Sequence, residues 1–167
     1  MHDEGLDTYT ITIDTLGQAS KNTFSVYLTE PLKNVVQAEM LGAHIHTTNK
    51  VDHAYVSIDE LDTLYSERAT QTLDGQGEIS TVRSSFASII CDAEVHHGNS
   101  VQDMVIIYKS NTHYPIKHKY PSVVRRVNRL TVKIMDHTGN TIPNSSDNQD
   151  NFLILNFKCQ NPGMILP

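Results

Sequence analysis

Thr8-Tyr9-Thr10-Ile11-Thr12-Ile13-Asp14 alternates without a break, with Tyr9, Ile11 and Ile13 on one side and Thr8, Thr10 and Thr12 on the other. A period of two sets one face on a core and the other in water, the pattern of a half-buried β-strand. The same pattern returns in Thr23–Leu28, where Phe24, Val26 and Leu28 point inward, and in Ala54–Asp59, where Val56 and Ile58 do. It returns again in Arg129–Asp136, through Leu130, Val132 and Ile134, and in Phe152–Lys158. Between Lys33 and His46 the phase slips. Val36, Ala38 and Met40 share one parity and Leu41, Ala43 and Ile45 the other, which predicts a bulge near Gly42.

The intervening segments are read from their turn and breaker residues. Pro31 interrupts one extended stretch, and Pro115 and Pro121 punctuate a weaker strand over His113–Tyr120. Arg83–Ala93 and Val101–Tyr108 are apolar runs around His97-Gly98-Asn99-Ser100 and predict a central hairpin. Leu61–Arg68 is the one stretch suited to a helical turn. Thr70–Ser80 reads as a surface loop, His137-Thr138-Gly139-Asn140 as a turn, and Asn144–Asn151 as polar and mobile. The expectation is a single domain over residues 1–167, with residues 1–7 and 160–167 as flexible tails. Its fold class is all-β, an antiparallel eight-stranded sandwich of the single jelly-roll kind.

Composition agrees. Valine, isoleucine and threonine make up 43 of 167 residues, and their stiff, branched side chains fit a pleated surface better than a helix. At 18.7 kDa the chain buries enough surface to fold without disulfide or metal. Cys91 and Cys159, far apart and in no CxxC, read as reduced, buried thiols. No apolar run is long enough for a membrane-spanning helix, and the acidic start Met1-His2-Asp3-Glu4 is unlike a secretory signal, so an intracellular product is expected.

Charge is segregated along the chain. Residues 52–103 hold ten acids against Arg68 and Arg83, whereas residues 109–133 hold seven Lys and Arg and no acid. Either the two segments meet a complementary neighbour, or folding interleaves and cancels them. Arg125, Arg126 and Arg129 are the candidate assembly residues, since three guanidiniums within five residues can fork onto carboxylates. Tyr108, Tyr114 and Tyr120 lie among the same cations, a pattern that permits weak nucleic-acid contact by base stacking and phosphate neutralisation.

Catalytic patterns are thin. His44-Ile45-His46 puts two imidazoles on one face, but the Glu that a cupin-like metal site needs nearby is replaced by Thr47-Thr48-Asn49-Lys50-Val51. Glu60 with Asp62, and Asp92 with Glu94, are carboxylate pairs at i and i+2 without the aromatic platforms of sugar-cleaving sites. No phosphate loop, dinucleotide fingerprint, EF-hand or GxSxG occurs. The expectation is no catalytic residue, no metal and no cofactor.

The order of segments carries a resemblance. Phe24-Ser25-Val26-Tyr27-Leu28, Pro31-Leu32-Lys33-Asn34-Val35-Val36 and Ala54-Tyr55-Val56-Ser57-Ile58 come first. Tyr120-Pro121, Val127-Asn128-Arg129-Leu130-Thr131-Val132-Lys133-Ile134 with Asp136-His137-Thr138-Gly139-Asn140, and Phe152-Leu153-Ile154-Leu155 follow. Over residues 20–158 this series resembles the single jelly-roll penton and minor capsid proteins of virophages, polinton-like viruses and large eukaryotic DNA viruses. The resemblance implies a non-enzymatic virion protein at the capsid vertices, made in the host cell and not secreted. Its partners would be copies of itself in a homopentamer and the neighbouring major capsid protein. A ligand- or carbohydrate-binding β-sandwich module and a cupin-like metal enzyme are the two other classes compatible with the residues.

Overall fold

A computed structural model of the chain describes residues 5–48, 51–62, 85–91, 104–143 and 149–161, and the backbone of residues 94–95. The strands are β1 (Leu6–Asp14), β2 (Thr23–Thr47), β3 (His53–Ile58), β4 (Ala87–Ile90), β5 (Glu94–Val95), β6 (Met104–Lys109), β7 (Ile116–Met135) and β8 (Phe152–Gln160). None of the described residues is helical. All pairings are antiparallel within one curled sheet, and they nest: β1 pairs β8, β2 pairs β7 and β6, and β3 pairs β4. Pairing extends to Leu6, Asp7 and Gln160, residues that the sequence reading assigned to the tails.

β2 governs the shape. Its 25 residues would span about 80 Å if straight, whereas a 167-residue globule has a radius of gyration near 15 Å. The strand must bend, and its pairing shows where. Between the Tyr27–Arg129 and Leu32–Val127 pairs, β2 advances five residues while β7 advances two. Between Val35–Val124 and Gln37–Lys119, β7 advances five while β2 advances two. Pro31 lies in the surplus of β2 and Pro121 in that of β7. The two prolines therefore do not end strands, as the sequence suggested. They occupy bulges, where a missing N–H costs the ladder nothing. Asn34 at the bend has φ 52°, a left-handed conformation that asparagine tolerates better than most residues. The phase slip near Gly42 is also present: Met40 pairs Leu155 and Gly42 pairs Ile154, so Leu41 is the extra residue.

Beyond the bend, β2 changes partners. Thr23–Tyr27, Leu32–Lys33 and Val35–Met40 run beside β7, Val35–His44 take β8 on the other edge, and Gly42–Thr47 run beside β6. The predicted hairpin of residues 83–93 with 101–108 does not form as such. Among the described residues β4 pairs β3, β6 pairs β2, and Glu94–Val95 joins β6. Both runs are apolar, and long-range burial rather than the short connection decides their partners. Leu61 lies in a turn, with its N–H on Ile58 O. The rest of the predicted Leu61–Arg68 helical turn and the Thr70–Ser80 loop lie outside the described residues.

The curl encloses one core. Ile13 of β1, Met40 and Ile45 of β2, Val56 and Ile58 of β3, Ile89 of β4, Ile106 of β6, Leu130 and Val132 of β7, and Leu155 and Phe157 of β8 are all buried in one cluster. A polar clasp closes one end. Asn151, 1% exposed, donates its amide to Lys21 O (2.8 Å) and Asn22 Oδ1 (2.5 Å), and its Oδ1 accepts from His46 N (2.8 Å). Its backbone exchanges bonds with Thr15, as N–H to Thr15 Oγ1 and as carbonyl to Thr15 N. Asn22 in turn donates to Ile142 O, and its carbonyl accepts from Ile134 N. Lys21, 7% exposed, donates to Thr15 O and pairs with Asp150 at 2.9 Å. Asn151 belonged to a segment expected to be mobile; instead its side chain holds both ends of β2.

Asn151→Ala withdraws three hydrogen bonds from buried groups and should cost about 2–4 kcal/mol. Urea unfolding of the variant beside Asn156→Ala, which loses one exposed bond to Thr10 and should change stability by about 0.5 kcal/mol or less, checks the assignment.

Candidate interaction surface

Two features of the curled sheet face outward with unspent chemistry: the basic ridge of β7 and a groove between β1 and β2. Around the β7 bulge the alternation relaxes, so Arg125, Arg126 and Arg129 are all exposed while Val127 and Leu130 are buried. The structure treats the three arginines differently. Arg129 Nε donates to Glu60 Oε1 at 3.3 Å, and its guanidinium is raised above its usual range by that carboxylate and by Tyr27. Arg126 pairs Lys33 in register and lines the groove. Arg125 lies at the bend beside Asn34, exposed to solvent.

The acidic and basic segments therefore meet within one chain at Glu60–Arg129. Glu60 also accepts from Thr131 N (2.7 Å) and Thr131 Oγ1 (2.8 Å). Partial burial favours its neutral form, but the hydrogen bonds from Thr131 and Arg129 outweigh this and hold the carboxyl below its ordinary value. Asp62, two residues on, has other partners. It accepts from Ser57 Oγ and Ile58 N in the turn after β3, and burial raises its pKa. The Glu60–Asp62 spacing thus serves two separate structural anchors. Asp52 and Asp59 remain as exposed carboxylates. Asp92 lies outside the described residues, as does the side chain of Glu94.

The tyrosines set among the cations are anchors as well. Tyr108 is buried, and its hydroxyl donates to Tyr114 O (2.7 Å) and accepts from Ile116 N (3.1 Å). Tyr120 donates to Leu61 O (3.0 Å), and burial raises its pKa. Tyr114 donates to Ser88 O and accepts from Ile90 N. Of the three rings, Tyr108 is buried, Tyr120 half-buried and Tyr114 40% exposed. His44 and His46 sit half-buried on one face of β2 with ring centroids 4.9 Å apart. Among the described residues no three His, Cys, Asp or Glu side chains gather where they could hold a metal ion. Neither cysteine is in a disulfide; Cys91 is half-buried with its thiol donating to Ile89 O, and Cys159 is buried, which raises its thiol. No helix among the described residues is long and apolar enough to cross a membrane.

The groove was not foreseen. It encloses about 1180 Å³ along Asp7–Asp14 of β1 and Val26–Lys33 of β2, with Arg126, Cys159 and Gln160 at its border. Residues of both parities line it: Thr8, Thr10 and Thr12 as well as Tyr9, Ile11 and Ile13 from β1, and Tyr27 and Thr29 as well as Val26 and Leu28 from β2. Along β1, Ile13 is buried, Ile11 half-buried and Tyr9 45% exposed. Along β2, Phe24 is buried, Val26 and Leu28 are half-buried and Glu30 is exposed. At the bend Leu32, on the same row of β2, is buried again. No protein-family model matches the chain, and neither does any curated protein sequence.

Glu60 and Asp62 predict opposite pH dependences. Glu60, with a lowered folded pKa, contributes stability that is fully present above its ordinary 4.5 and lost as pH falls through the folded value. Asp62, with a raised folded pKa, contributes stability below its ordinary 3.8 that is lost as pH rises through the folded value. Urea midpoints across pH 3–7 should therefore show Glu60→Gln less stable than the parent at pH 7, with the difference shrinking on acidification. Asp62→Asn should show its greatest relative gain at neutral pH.

Proposed function

We propose that the chain is a structural capsid subunit, a penton or minor capsid protein of an icosahedral DNA virus. In this reading it acts by assembling with copies of itself, as a pentamer at the virion vertices, and by contacting the neighbouring major capsid protein. The curled sheet is then a single jelly-roll sandwich. One observation carries the reading: the nested strand order. One array runs β1-β8-β2-β6 and the other β2-β7-β3-β4, with β2 and β7 crossing the bend from one to the other. First-with-last pairing rolled up in this way makes two Greek keys, the arrangement shared by capsid jelly rolls. Strands that pass between layers through bulges are the usual corners of such sandwiches.

The same fold also hosts lectins and cupins, so the capsid reading draws on the surface too. Arg125 and Arg126 stand at a bend on an exposed ridge, and Asp52 and Asp59 are exposed elsewhere on the chain. A ring that closes by rotation needs two different, complementary patches on every subunit. Arg129 contributes less to such a contact, being held by Glu60 of its own chain.

Arg125→Glu with Arg126→Glu should disfavour assembly while leaving the fold intact, because neither side chain is buried. Raising salt shortens the screening length from about 10 Å at 0.1 M to about 3 Å at 1 M and should weaken the parent oligomer. Native mass spectrometry and electron micrographs of the purified protein read both effects. Monomer alone, at high concentration and low salt, overturns the assembly reading.

A further inference from the structure

Every residue of Asp7–Asp14 and of Val26–Lys33 lines the groove. A strand that offers a face lines a cavity with alternate residues, so lining by both parities marks two strands met edge-on. Among the described residues β1 pairs only β8, and Thr23–Lys33 of β2 pairs only β7. Each therefore carries one row of backbone N–H and C=O groups with no described strand beside it. We propose that β1 is an interaction edge whose partner is β1 of a second copy, paired antiparallel about a two-fold axis at Thr10. This goes beyond the capsid reading and does not rest on it.

The choice of β1 comes from comparing the edges. Proteins usually blunt a free edge with proline, lysine, a bulge or short length. The β2 edge has Pro31, Lys33 and the break in register against β7. β4 is four residues long, and Tyr114 covers it by donating to Ser88 O and accepting from Ile90 N. Beyond its contact with β5, β6 leaves Ile106–Lys109, which ends on a lysine. β1 has none of these devices. It runs nine residues in unbroken register with β8, contains no proline or cation, and keeps its two charges, Asp7 and Asp14, toward its ends. Tyr9 is 45% exposed on it and Ile11 half-buried.

The sequence of β1 also selects a register with itself. In an antiparallel pair, facing residues are either both hydrogen-bonded or both not, so a two-fold pairing centres on a residue. Centred on Thr10, the pairing uses the whole strand. Leu6 faces Asp14, Asp7 faces Ile13, Thr8 faces Thr12, Tyr9 faces Ile11, and Thr10 faces its own copy. Threonine meets threonine, the aromatic ring meets a β-branched side chain, and no carboxylate meets another, all favourable across strands. Moving the centre to Tyr9 or Ile11 shortens the overlap. A two-fold axis perpendicular to the sheet keeps both apolar rows on one side, so Tyr9 and Ile11 of the two copies cover each other.

Sedimentation velocity over a wide concentration range should show a monomer–dimer equilibrium. It should persist at 1 M salt, where exposed charges are screened within about 3 Å, because backbone pairing does not depend on them. Thr10→Lys and Thr10→Glu each set like charges face to face across the axis and should weaken the dimer several-fold. Thr10 is exposed and gives up one exposed bond from Asn156, so both proteins should keep the parent's circular dichroism. Mixed in equal amounts they set Lys against Glu and should dimerise more tightly than either alone. Thr12→Lys adds the same charge opposite Thr8 of the second copy and should weaken the dimer less than Thr10→Lys does. An oligomer that both Thr10 variants leave unchanged overturns the proposal, and so does one that their mixture fails to restore. A parent that stays monomeric at its solubility limit also overturns it. Hydrogen exchange then assigns the edge: protected β1 amides mean cover by the chain's own residues, and unprotected ones leave it to a strand of another protein.

Discussion

One buried amide holds the two ends of a 25-residue strand together. Asn151 bonds to Lys21 and Asn22 just before β2 and to His46 just before its end. An extended strand of that length would reach about 80 Å, so the clasp and the bend require each other. With the ends joined, β2 divides its pairing among β7, β8 and β6, and every other strand takes its place from that division. Removing the clasp would leave buried polar groups without partners, which costs more than any single exposed bond in the molecule returns.

The bend itself is distributed. β2 carries its surplus residues around Pro31 and β7 carries its own around Pro121, so the two strands turn together without losing register beyond the corner. Most of the polar side chains suggestive of chemistry stabilise this frame. Glu60 and Asp62 anchor the turn after β3, and Tyr108, Tyr114 and Tyr120 pin backbone carbonyls with their hydroxyls. With these groups engaged, the exposed features among the described residues include a basic ridge on β7 and a groove along β1 and β2.

The groove and the ridge meet at the bend. The groove runs along β1 and the Val26–Lys33 stretch of β2, and Arg125 and Arg126 are exposed on β7 at the same bend. Arg126 belongs to both features, bordering the groove while facing solvent.

Local alternation is a property of neighbouring residues, and it was legible wherever it occurred. Thr8–Asp14, Thr23–Leu28, Ala54–Asp59, Arg129–Asp136 and Phe152–Lys158 proved to be strand except at Asp59 and Asp136, and the slip near Gly42 proved to be a one-residue bulge at Leu41. Antiparallel all-β architecture follows from those stretches alone. Other features were not local. Whether a proline ends a strand or sits in a bulge depends on the partner opposite, which lies about ninety residues away for both Pro31 and Pro121. Arg129 looked free in a run of cations, yet its carboxylate comes from a turn 69 residues earlier. Asn151 looked like part of a polar loop, because an asparagine that caps a core and one that faces water read the same in one dimension. By itself the sequence determined which residues would be strand and which faces would be apolar, since period two needs no partner. Tertiary structure alone decided which strands met, which charges were spent and where the groove lay, because pairing energy depends on groups brought together from distant parts of the chain.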